Sequence, residues 1–203
     1  DEFNEVFDHI NSISRSLMET TISRDNLQKI VNERTKELEK LANTDPLTQT
    51  ATRRVLFSVG EKEFQRAKRS GQSLSVIIID CDYFKKVNDK YGHLVGDHAL
   101  TYICTLVTAE IRDIDTLARF GGEEFVALFP DTNAESAAII ASRIQHSLAQ
   151  SPLIQDNNKI ILTVSIGVAE LKESDTSFES LIEQADNALY KAKHEGRNKI
   201  CVA

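Results

Sequence analysis

Four carboxylates stand where a metal ion and a phosphate group could meet. Asp80 ends the apolar run Leu74–Asp80 (LSVIIID), Asp82 follows two residues later, and Glu123 and Glu124 come directly after Gly121-Gly122. A carboxylate at the end of a buried strand is costly unless a cation meets it at the sheet edge. If the strand that leaves the Gly-Gly turn lies beside Leu74–Asp80, the four acids converge at one end of a sheet. Hard carboxylate oxygens, completed by water and phosphate oxygens, are what Mg²⁺ prefers. The same four acids also read as scattered charges in a solvated turn, and at this level the two readings stand side by side.

The elements that must position these acids follow from the apolar pattern. Arg53 to Arg69 reads as a helix, Leu74 to Asp80 as a buried central strand, and Leu94 to Arg112 as a helix. Thr116 to Phe120 and Glu123 to Phe129 are short strands separated by Gly121-Gly122, the signature of a tight hairpin. Asn133 to Gln150 is a helix capped by Asn133, Ile160 to Ala169 a strand, Phe178 to His194 a helix, and Lys199 to Val202 a last strand. The order β-α-β-β-α-β predicts an α+β fold. The plan is ferredoxin-like, with a mixed sheet and helices flanking one face.

Ahead of this block, residues 1–43 contain no Gly and no Pro. Ile10, Leu17, Val31 and Leu38 fall on one heptad series, interrupted by Arg24; Ile13, Leu27 and Leu41 fall on a second, interrupted by Thr20 and Arg34. Steps alternating between three and four draw one narrow seam along a helix. A single helix would leave that seam wet. It predicts a long coiled-coil helix that makes a parallel homodimer, with folding back onto its own domain as the alternative. Asn43-Thr44-Asp45-Pro46 stops the helix, since Pro46 disfavours a helical Asp45. The domains expected are a dimerising coiled-coil helix over 1–43 and the α+β domain over 44–203.

A net charge of −7 argues against a nucleic acid polymer as partner, so any phosphate ligand needs local cations or a metal. Cys81, Cys104 and Cys201 are far apart and lack metal-type spacing, which suggests reduced thiols and a cytoplasmic location. No apolar stretch is long enough to cross a membrane. The chain begins at Asp1, and an upstream sensor domain is expected to precede it, with a membrane anchor left open.

Gly121-Gly122-Glu123-Glu124-Phe125 resembles the signature of the GGDEF family of diguanylate cyclases. DCDYFKKVNDKYGHLVGD (Asp80 to Asp97), TVSIGVA (Thr163 to Ala169), ADNALYKAKHEGRN (Ala185 to Asn198) and Asp45-Pro46-Leu47-Thr48 followed by Arg53-Arg54 resemble that family's other motifs, in its order. The resemblance covers residues 44–203. It departs from the family at Gln49, Thr50 and Thr52, where Gly, Leu and Asn are usual, and at Cys81, where an aliphatic residue is usual.

The resemblance implies an enzyme that condenses two GTP into cyclic di-GMP across a homodimer, with Mg²⁺ (two ions per GTP site, Mn²⁺ as a substitute) as cofactor. It implies that Asp80, the Cys81 carbonyl and Glu123 hold metal, and that Glu123, Glu124 and Lys85 serve catalysis. It gives Asn88 and Asp97 to guanine, with His93 bordering that pocket, and Lys193 and Arg197 to the terminal phosphates. Arg112 and Asp115, an RxxD pair ahead of the GGEEF turn, with Arg143 as third contact, would form an inhibitory product site. Each residue also has a plain reading: Lys85 as a solvated helix charge, Asn88 as a turn residue, Lys193, Arg197 and Arg112 as helix-end cations. The rival functions are a catalytically inactive receptor for GTP or cyclic di-GMP, a purely structural dimerisation module, and a cyclase of other nucleotide choice. Asp80, Lys85, Glu123 and Glu124 speak against the first, the acid cluster against the second, and Asp97 against the third.

Overall fold

The computed structural model describes residues 29–32, 34–35, 42–155 and 158–203. The chain divides into two compact units, residues 1–42 and 43–203. In the first unit, residues 29–32 and 34–35 are helical, with Ile30 and Val31 both exposed. The rest of the expected seam, including Ile10, Ile13, Leu17, Leu27, Leu38 and Leu41, lies outside the described residues. Among the described residues no helix is long and apolar enough to cross a membrane.

The second unit is a mixed six-stranded sheet. Its elements run β1 (Ala51–Thr52), α1 (Arg53–Ser70), β2 (Leu74–Cys81), α2 (Phe84–Tyr91), α3 (His93–Glu110), β3 (Thr116–Gly121), β4 (Glu124–Pro130) and α4 (Ala134–Gln150). They continue with β5 (Leu153–Gln155), β6 (Asn158–Ile160), β7 (Val164–Glu170), α5 (Phe178–His194) and β8 (Ile200–Val202). The sheet order is β1-β3-β4-β2-β7-β8, and β5-β6 form a separate small hairpin. The four long strands β2, β3, β4 and β7 lie in the order expected of a ferredoxin-like β-α-β-β-α-β core. β2 is central and antiparallel to both β4 and β7, whereas the edge strands β1 and β8 join in parallel.

Alternation along β2 sorts the core into two layers. Ile77, Ile79 and Cys81 pack on one face with Leu100 and Ile103 of α3 and Ile144 of α4. Val76 and Ile78 pack on the other with Leu56 and Phe64 of α1 and Phe178 and Leu181 of α5. Helices thus cover both faces, which corrects the expectation of one. The reason is in β2 itself: all eight of its residues are buried, and a strand buried on both sides needs a layer on each.

Caps and turns set the boundaries. The Asn133 side chain accepts from the Ser136 amide at 2.9 Å to start α4, and Ser177 does the same for the Ser180 amide at the start of α5. The hairpin turn sits one residue later than its two glycines suggest. Gly121 pairs with Glu124 across a bulge, so Gly122 and Glu123 form the turn and Glu124 opens β4. The expected strand Ile160 to Ala169 also divides. Asn158–Ile160 turn back on Leu153–Gln155, and β7 begins at Val164. Gln49, where the resembled family has Gly, lies at φ 58, a left-handed backbone that glycine adopts without steric cost.

Candidate active site

The register of the sheet brings the acids together. Asp80 is the cross-strand partner of Glu124, and the Cys81 amide donates to the Glu123 carbonyl at 3.3 Å. By the alternation of β2 and β4, Asp80 and Glu124 fall on the face that α5 covers. Lys193, at the end of α5, reaches Asp80 with Nζ 2.8 Å from Oδ2. Two like charges directly across a ladder repel, and a shared cation relieves that repulsion.

The electrostatics carry the mark of this crowding. Burial pushes the Asp80 carboxyl up from its ordinary pKa; Lys193 opposes the rise, and Glu123 and Asp82 add to it. Burial also pushes Glu124 up, with Asp80 and then Asp186 and Glu123 adding against the pull of Lys193. The Cys81 thiol is pushed up to about 12, by burial first and then by Asp80, Asp82 and Glu123. Its side chain packs in the core with Ile77 and Ile79, on the face opposite Asp80, so only the Cys81 main chain lies at the acid cluster.

A ring of weaker contacts shapes the surroundings. Arg119 grips the hairpin turn, donating from Nε and Nη2 to the Gly122 carbonyl at 3.0 and 2.7 Å, and its Nη1 lies 3.4 Å from Asp45. Lys85 is exposed on the first turn of α2, and His93 is exposed at the start of α3. Asn88 Oδ1 is buried with no hydrogen-bond partner among the described residues. It lies against Gly96, where a Cβ would overlap it, so any larger residue there would displace the Asn88 side chain. Asp97 follows Gly96 directly and is exposed. A buried acceptor without a donor is costly, and a base edge offering an N–H would satisfy it. Arg197 stacks its guanidinium over the Tyr83 ring, 4.8 Å from the centroid.

Arg112, Asp115 and Arg143 gather elsewhere, around a cavity of about 340 Å³ that Glu110, Asp131 and Thr132 also line. Arg112 pairs with Asp115 (Nη2–Oδ1 2.9 Å) and donates to Thr132 Oγ1 at 2.8 Å. Arg143 is held by Glu110, Nε to Oε2, at 2.9 Å.

One correction concerns Asp82. Asp82 does not point into the acid cluster: its oxygens are taken by Ser165, Thr163 and the Asn198 amide. Among the described residues no three His, Cys, Asp or Glu side chains form a ready-made metal cage. The donor set is one of hard oxygens, two carboxylates and a carbonyl. It suits Mg²⁺, which is commonly held by one or two carboxylates with phosphate and water completing the shell. The sequence did not point to Gly96, Arg119, Tyr83 or Asp186 as parts of the site. The Asp80–Asp97 segment contains Tyr83 and Gly96 and the Ala185–Asn198 segment contains Asp186, so a signal was available for three of them.

Residues 42–199 match the family model described as diguanylate cyclase, GGDEF domain. A diguanylate cyclase of Vibrio cholerae is 40% identical over 166 residues, covering 82% of this chain and 51% of its own length. Diguanylate cyclase A of Treponema denticola is 35% identical over 170 residues, covering 82% and 46%. The chain thus spans about half the length of these two relatives. Among solved structures, the coiled coil and GGDEF domain of DgcB from Caulobacter crescentus, in complex with c-di-GMP, superposes with a TM-score of 0.85 at 28% identity, over 92% of this chain and 99% of that one. The active GGEEF domain of a Vibrio cholerae diguanylate cyclase gives a TM-score of 0.72 at 37% identity, over 76% and 97%.

Proposed function

The chain belongs to the diguanylate cyclase GGDEF-domain family, and from that premise we propose that it condenses two GTP molecules into cyclic di-GMP and two pyrophosphates across a homodimer. The observation that carries this reading is the charge cluster at the end of β2: Asp80 in register with Glu124, and Lys193 at 2.8 Å. Such a cluster suits a triphosphate that arrives with its metal.

Asp80, Glu123 and the Cys81 carbonyl would hold Mg²⁺ or Mn²⁺, one metal pair for each GTP. Bound there, the metal offsets charge on the phosphates and acidifies the attacking 3′-hydroxyl. Glu124 accepts the hydroxyl proton or assists beside Glu123; the burial that raises its pKa also makes it a better base at neutral pH. Lys85, Lys193 and Arg197 bind phosphate oxygens. Asp97 accepts from guanine N1–H and the 2-amino group, Asn88 completes the edge, and His93 borders the base. The partner-free Asn88 acceptor supports that assignment. Each copy carries one such site, so the two nucleotides react only when two copies face each other, which is the role given to residues 1–43. Arg112, Asp115 and Arg143 form a site where product binds and slows the reaction. An arginine fork and a carboxylate suit the two edges of guanine.

The experiment is incubation with GTP and Mg²⁺ and chromatographic detection of cyclic di-GMP. Product from the wild-type protein, and none from Asp80→Asn, is the expected result. GTP binding without product would instead make the domain a nucleotide receptor.

A further inference from the structure

The turn after α5 is closed on its helix by the Arg197 amide, which donates to the Ala192 carbonyl at 3.1 Å, and beyond that bond it leans on its surroundings. Gly196, Arg197 and Asn198 follow one another at φ 113, 63 and 48. Arg197 holds a left-handed backbone that its side chain disfavours, whereas Gly196 and Asn198 adopt such a backbone more readily. Such a run persists only where its surroundings impose it.

What fixes the turn at Asn198 is the segment just past β2. Asp82 is 5% exposed, and its three partners are neutral. Oδ1 accepts from Ser165 Oγ at 2.6 Å, and Oδ2 accepts from Thr163 Oγ1 at 2.8 Å and from the Asn198 amide at 2.9 Å. A buried carboxylate with no cation on it is expensive and persists only when every lone pair is engaged. On either side of Asp82, Asp80 meets Lys193 and Tyr83 lies under the Arg197 guanidinium. The four residues Asp80 to Tyr83 therefore grasp Lys193 to Asn198 at three successive points. The middle point is the only one of these three that reaches the main chain of the turn.

We propose that Asp82 is a positioning residue: by fixing the Asn198 amide it sets the turn that aims Arg197 at the terminal phosphates of the nucleotide. The inference rests on the function proposed above. It gives Asp82 no contact with substrate or metal; Asp82 acts through Arg197. It also explains why an acid stands here. The Asn198 amide can only donate, and a carboxylate can accept from it and from both hydroxyls together. An asparagine can still accept from the amide, while its NH₂ group turns toward a hydroxyl, so Asp82→Asn retains part of the hold and Asp82→Ala loses it.

The test compares the wild type with Asp82→Asn, Asp82→Ala, Arg197→Ala and the double variant Asp82→Ala/Arg197→Ala. Affinity is measured by calorimetry for a non-hydrolysable GTP analogue and for GMP, together with KM and kcat for GTP. Asp82→Ala is expected to weaken the GTP analogue and raise KM about tenfold, as Arg197→Ala does, with a smaller change in kcat. Asp82→Asn falls between it and the wild type. GMP binding, which lacks the terminal phosphates, stays unchanged in all four variants. The double variant is no weaker than Arg197→Ala alone. Equal loss of GMP and GTP-analogue affinity, or losses that multiply in the double variant, would overturn the proposal. If Asp82→Ala does not fold, Asp82→Asn alone decides by the same GTP-against-GMP comparison. A wild-type protein that binds no GTP analogue fails the underlying function instead, and is recognised before any variant is made.

Discussion

A single carboxyl group shows how far the site is built against stability. Glu124 is raised first by burial and then by the charge of Asp80 across the ladder. A raised folded-state pKa means that the folded protein binds the proton more tightly than the unfolded chain does. The ionised group therefore costs stability above that pKa, and the cost vanishes as the pH falls through it. Glu124→Gln is expected to melt a few degrees higher than the wild type near neutral pH, with the gap closing on acidification, and to make no cyclic di-GMP. Paired calorimetric scans from about pH 8 down to about pH 4 check the sign; a gap that widens on acidification contradicts it. Gln49 is a second residue under strain, at φ 58. Its side chain donates to the Pro46 carbonyl at an exposed site, a contact of little worth. Gln49→Gly should raise stability by about 0.5–1 kcal/mol, read as a higher urea midpoint at unchanged slope.

At the scale of elements, the join between α5 and the sheet carries the site. Gly167 on β7 faces the α5 backbone so closely that a Cβ would overlap the Ala185 carbonyl and the Leu189 amide. Backbone cannot step aside as a side chain can. Gly167→Ala should therefore cost about 1–3 kcal/mol and move the helix whose end holds Lys193. Urea denaturation measures the first effect, and a raised KM for GTP the second. This helix was also the element most legible in the sequence. The span expected from the sequence, Phe178 to His194, has the observed ends, because its apolar residues keep helical spacing over 17 residues. The eight-residue α2 escaped notice. Its first turn follows Tyr83 at φ 56, with no side-chain cap to announce it. β1 and β8 hold two and three residues, too short for any periodicity, although the last strand was still found from its apolar ending. The acids Asp80, Glu123 and Glu124 were legible because hydrophobic strands and a glycine turn flank them. That Asp80 meets Lys193, or that Asp82 holds Asn198, depends on sheet order. That order pairs residues from opposite ends of the unit, and no local pattern encodes such a pairing.

For the whole molecule, the proposed reaction needs two copies. Removing residues 1–42 takes away the heptad seam and leaves the catalytic motifs in place. The shortened protein should be monomeric at low concentration, with activity that rises more steeply than linearly with protein. Light scattering and a dilution series check this, and constant specific activity on dilution would remove the segment's proposed role. Product bound at Arg112, Asp115 and Arg143 would hold domains away from each other, coupling one site to the geometry of another. Arg112→Ala should leave the initial rate nearly intact and raise the cyclic di-GMP concentration for half-inhibition by about tenfold or more. Matching inhibition curves for the two proteins would reduce the motif to a helix end.

The short outer strands have a further consequence. The sheet finishes in two residues at β1 and three at β8, while its long strands lie inside. An open sheet margin invites an identical chain to add a strand, and the invitation grows with the length and flatness of the row of free amides and carbonyls. Here that row is too brief to template growth. Copies that meet in the proposed reaction are thereby less prone to join edge to edge into fibrils or precipitate.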